Sequence, residues 1–87
     1  MKVEVVDPRD GRWEVDDPTF RVYLWDTDAR CSYEYEITGA EVETVIEWVG
    51  KTITPGWRYT IYVVIDVDER GGVGLVRIGG LSGDPFA

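Results

Sequence analysis

Residues 19–38 read TFRVYLWDTDARCSYEYEIT, two strand-like runs around an acidic turn. In the first run Phe20, Val22 and Leu24 alternate with Arg21, Tyr23 and Trp25. In the second, Cys31, Tyr33, Tyr35 and Ile37 alternate with Ser32, Glu34 and Glu36. Successive side chains of a strand point to opposite faces, so one set of each run lines a core and the other meets solvent. Pairing Leu24 with Cys31 keeps the two sets on separate faces, whereas a one-residue slip mixes them. The solvent set then contains Tyr23 and Trp25, which a merely solubilising surface does not need.

Downstream of this hairpin the hydrophobic period changes. ITGAEVETVIEWVG, residues 37–50, places Val42, Val45, Ile46 and Val49 at i, i+3, i+4 and i+7, one stripe of a helix. Thr38 with Glu41 three residues on has the form of a capping box, and Glu41 and Glu43 suit the positive end of the helix dipole. Gly50 is placed to end the helix, with Lys51 near its carbonyl end and Trp48 flanking the stripe. WRYTIYVVIDVD, residues 57–68, reads as the longest strand. Trp57, Tyr59, Ile61, Val63, Ile65 and Val67 form its apolar, helix-facing side; Arg58, Thr60, Tyr62, Val64, Asp66 and Asp68 form the other. ERGG turns the chain, and VGLVRI returns as its hairpin partner.

Upstream, KVEVVD at residues 2–7 alternates as a first strand with Val3 and Val5 inward, PRDG turns, and RWEV is a short second strand carrying Trp13 and Val15. The expectation is an α+β fold: two layers, a mainly antiparallel sheet of 4–5 strands, and one helix packed on one face, in the order βββ(β)αββ. One small domain spans residues 1–87, with an irregular tail at 79–87 in which Phe86 either docks on the body or hangs free. A single helix covers one sheet face and leaves the other without a second layer.

Composition narrows the chemistry. At 87 residues a core is barely large enough, yet four Trp, five Tyr and two Phe beside many Val and Ile rule out a disordered chain. His, Asn and Gln are absent, which removes the commonest general base, the commonest transition-metal ligand and the amide donors of many oxyanion holes. Tyr, Asp, Glu and Arg are what remain for acid–base work, and the expectation is a protein that is not an enzyme, with no catalytic residue, no metal and no cofactor. The acidic turns DTD (Asp26, Asp28) and DVDE (Asp66, Asp68, Glu69) lack the twelve-residue EF-hand pattern and read as solvated hairpin ends. RGGVG and GGLSGD carry no phosphate-loop lysine and open no helix.

A formal net charge of −8 disfavours nucleic acid and anionic membrane surfaces and permits a basic protein partner, although such a charge also serves solubility alone. The lone Cys31 has no internal disulfide partner and sits on the apolar side of its strand. MKVEVVDPRD lacks an apolar signal-peptide core, and no run reaches membrane-helix length, so the expectation is a soluble protein of the cytoplasm.

The helix-free face therefore carries the functional expectation. It gathers Arg21, Tyr23, Trp25, Glu34, Glu36, Arg58, Tyr62 and Val64 as candidates for an interface. Trp, Tyr and Arg dominate binding energy where a partner covers them. The same residues also fit cross-strand pairing, which contributes about 0.2 to 1 kcal/mol per pair and requires no partner. The occupant expected is a protein, either a basic partner or a second copy of the chain forming a homodimer, with a small molecule as the further alternative.

ITGAEVETVIEWV, YTIYVVIDVD and GVGLVRIGG, over about the last 55 residues, resemble small single-domain proteins of GC-rich actinobacteria that share a T-G-A/E-x-V-x-x-V helix, a Tyr-rich strand and a G-L-V-R-x-x-G ending. The resemblance implies a cytosolic actinobacterial origin and carries no activity, ligand or site residue.

Overall fold

The computed structural model describes residues 1–11, 17–66 and 72–86. Its elements are a 3-10 turn at Pro8–Asp10, strands β1 (Phe20–Asp26) and β2 (Cys31–Ile37), helix α1 (Val42–Thr52), and strands β3 (Arg58–Asp66) and β4 (Val73–Gly80). The fold is α+β and, among the described residues, has one helix and a four-stranded antiparallel sheet in the order β2-β1-β3-β4. Both β2 and β3 run antiparallel to β1, so they are parallel to each other with β1 between them, and α1 makes the crossover.

The alternation of β1 sets the core. Phe20, Val22 and Leu24 are buried together with Val45 and Val49 of α1 and Ile61 of β3. Ile37, Trp48, Ile53, Trp57 and Val63 pack around them. Burying one such side chain is worth about 1.5–3 kcal/mol, which makes this cluster the centre of the domain's packing.

Several expectations are corrected. The hairpin pairs Asp26 with Cys31 and Leu24 with Tyr33, not Leu24 with Cys31. The shift is two residues, so the faces stay as assigned. The loop is four residues long, closed by Arg30 in the left-handed region (φ 54°) and by Asp26 Oδ1, which accepts from the Ala29 amide at 3.1 Å. The expected strand at residues 2–7 is not one: these residues pair with no strand among the described residues, and a strand exists only by its ladder. RWEV (12–15), Val67, Asp68, Glu69 and most of ERGG lie outside the described residues.

The capping box is also absent. Helix α1 starts three residues later, with Glu41 at the N-cap and no side-chain cap bond, because Gly39 takes φ +71°, which no helical residue adopts. Gly50 does not end the helix; it lies within it, and the chain leaves at Ile53, whose amide donates to Val49 O at 2.9 Å, just ahead of Pro55. Of the four stripe residues, Val45 and Val49 are buried and Val42 half-buried. Ile46 remains 55% exposed, overhanging a cleft of about 330 Å³ above Tyr59 and Ile61. Strand β4 runs to Gly80, two residues into the expected tail.

Candidate functional site

The register places all eight sequence candidates on the helix-free face. One cross-strand row runs Glu34, Tyr23, Thr60 and Gly80; the next runs Glu36, Arg21, Tyr62 and Arg77. Trp25 lies between Ser32 and Arg58, and Val64 beside Leu75. Tyr23 is the hub of the aromatics, meeting Trp25 edge-on at a centroid separation of 5.4 Å and Tyr62 at 5.3 Å. Such pairs contribute about 0.5–1.5 kcal/mol beyond their burial. Arg21 Nε reaches Glu36 Oε2 at 3.5 Å, a half-exposed pair of small energetic weight. A shallow hollow of about 150 Å³ lies among Arg21, Tyr23, Glu34 and Glu36.

This face is not open throughout, which overturns the expectation that it lacks any second layer. At Gly80 (φ +84°) the chain leaves β4 and turns back across the end of the sheet. A Cβ at Gly80 would lie 2.3 Å from Tyr59 O, so only glycine makes this exit. Leu81 N donates to Tyr59 O at 2.8 Å. Trp25 Nε1 donates to Thr60 Oγ1 at 3.0 Å, and Thr60 Oγ1 donates to Leu81 O at 2.9 Å. Thr60, 1% exposed, thus couples the indole to the tail through one hydroxyl. Phe86 docks edge-on against Trp25 at 5.8 Å, and the Arg30 guanidinium sits 5.6 Å from the Phe86 ring centre. Trp25 is accordingly half-buried.

The uncovered half is the other end: Tyr62 and Val64, half-exposed on β3, then Leu75 and Val73 of β4, 36% and 51% exposed. Leu75 and Val73 were missed in the sequence, although the alternation of VGLVRI, once paired in register with β3, assigns them to this side.

The helix side offers a second set of aromatics. Tyr33 stacks on Trp57 (5.4 Å, 8° between planes), and Tyr35 meets Trp48 edge-on at 5.1 Å. Between Tyr35, Ile37, Thr44 and Trp48 lies a cleft of about 380 Å³. Hydrogen bonding with the Cys31 side chain, and then its charge, holds the Tyr33 phenol above its ordinary value. No helix among the described residues is long and apolar enough to cross a membrane.

Fold and site together define a small α+β domain with one half-covered, aromatic sheet face. Comparison with protein-family models, with curated proteins and with solved structures finds no match to this chain.

Proposed function

We propose that the chain is a non-enzymatic, acidic protein-interaction module that docks a protein partner on the open half of its helix-free sheet face. Its concrete form is an inhibitor or immunity-type protein of the cytoplasm that occludes a basic enzyme. The observation that carries this reading is the continuous surface of Tyr62, Val64, Leu75 and Val73, held on two paired strands and bordered by the Arg21–Glu36 pair. An apolar centre with a polar rim is the anatomy of a docking surface, and aromatic and Arg side chains make its strongest anchors. The formal charge of −8 adds steering toward a basic partner.

Capture from native lysate with the wild type beside Leu75→Lys and Tyr62→Ser, then titration of the retained protein in pure form, tests it. The expected result is binding by the wild type, weakened at least about tenfold in each variant and falling steeply as salt rises. A retained partner that binds all three chains equally, or no retained partner, overturns it.

The cleft beside Tyr35 and Trp48 favours a second reading as a small-molecule binder, since pockets for such ligands begin near its volume of about 380 Å³. A compound library read by thermal shift tests that reading. It requires a compound whose stabilisation is lost in Trp48→Ala, with the variant's fold checked by circular dichroism.

A further inference from the structure

We propose that residues 3–7 form an additional strand on the free edge of β4 in a second copy of this chain, exchanged reciprocally in a two-fold dimer. This goes beyond the open-face reading: it uses the sheet edge and leaves Tyr62 and Val64 free for another partner.

The segment has the alternation of a strand and no ladder among the described residues. Val3 and Val5 are 80% and 102% exposed, and no backbone hydrogen bond ties residues 1–6 to any described residue. Its contacts are local: Lys2 Nζ reaches Glu4 Oε1 at 3.0 Å, and Asp7, with extended backbone angles, caps the turn that follows. An unpaired edge strand is a template for just such a segment.

Among the described residues both β2 and β4 present a free edge, and charge distinguishes them. The helix-free side of β2 carries Glu34 and Glu36, which repel Glu4. On β4 the sole charge is Arg77, whose Nη1 donates to Gly80 O at 3.2 Å and which has no carboxylate partner among the described residues.

Seating Glu4 opposite Arg77 in an antiparallel pair sets the remaining register. Val5 then faces Val76 and Val6 faces Leu75, two β4 side chains that are 44% and 36% exposed in the single chain. The pairing has natural limits at both ends. Pro8 has no amide to continue it, and the β3–β4 ladder shifts register beyond Arg77. Reciprocal exchange closes the assembly at two copies.

The solution mass at physiological salt tests this, with wild type beside Val5→Lys, Glu4→Arg, Arg77→Glu and the double charge swap. The wild type is expected at twice the 9.9 kDa chain mass. Val5→Lys should weaken dimerisation more than about tenfold. Each single charge reversal should also weaken it, and the double swap should restore it. Val5 and Glu4 lie outside the core, so these variants keep the fold, which circular dichroism verifies. A monomeric wild type, a dimer indifferent to Val5→Lys, a double swap that does not recover, or a mass that keeps growing with concentration overturns the proposal. Slow amide exchange at residues 3–7 in a monomer also overturns it, because the pairing would then be intramolecular.

Discussion

Thr60 shows how one hydroxyl fixes two elements. It accepts from the Trp25 indole and donates to the Leu81 carbonyl, so both of these part-buried groups depend on it. Thr60→Val keeps the shape and removes both bonds, leaving a donor and an acceptor unmet; the expected loss is about 1–3 kcal/mol by chemical denaturation, with faster exchange of the Trp25 indole proton. Gly80 is the second such position. Gly80→Ala should cost more than Gly39→Ala, although both glycines have positive φ, because an added Cβ meets Tyr59 O at 2.3 Å at Gly80 and nothing within 4 Å at Gly39. The Gly39 change should cost about 1–2 kcal/mol. Equal losses in parallel denaturation curves would contradict the close approach. The facing of Tyr23 and Trp25 was legible from alternation alone. The cover over Trp25 was not, because GGLSGDPFA has no period, and its docking rests on single contacts of Leu81 and Phe86 that no local pattern encodes.

Strand identity was readable in β1 and β2 from alternation, in β3 from its one continuous apolar face and in β4 from the turn residues before it, but the ends of elements were set by features these patterns do not contain. The β1–β2 register followed from a four-residue loop with Arg30 in the left-handed region, an unusual choice for that position. The helix start followed from Gly39 rather than from the Thr38–Glu41 spacing, and the segment at 2–7 had a strand's pattern without a paired neighbour among the described residues. Helix α1 consequently begins on a weak cap. Glu41→Asp puts a shorter carboxylate at the N-cap, within reach of the free amides, and should stabilise the fold by about 0.5–1 kcal/mol. Gly50 is exposed within the helix, and an added methyl meets nothing within 4 Å. Gly50→Ala should therefore add a further ~0.5–1 kcal/mol. Thermal denaturation of the two single variants and their pair checks both, and the gains should sum, since the sites lie at opposite ends of the helix.

At the scale of the molecule, an eleven-residue helix is short for a four-stranded sheet, and everything left over becomes surface. On one side that leaves two clefts beside α1; on the other, the tail covers the Trp25 end and leaves Tyr62, Val64, Leu75 and Val73 to solvent. The division of the helix-free face into a tail-anchored half and an open half is what the proposed function rests on. Backbone and side-chain NMR shift mapping of the labelled protein, titrated with its captured and purified partner, tests it most directly. The largest shifts are expected on Arg21, Glu36, Tyr62, Val64 and Leu75, with the Trp25 indole little changed. Shifts centred instead on Tyr33, Tyr35 and Trp48 would place the partner on the helix side and contradict it.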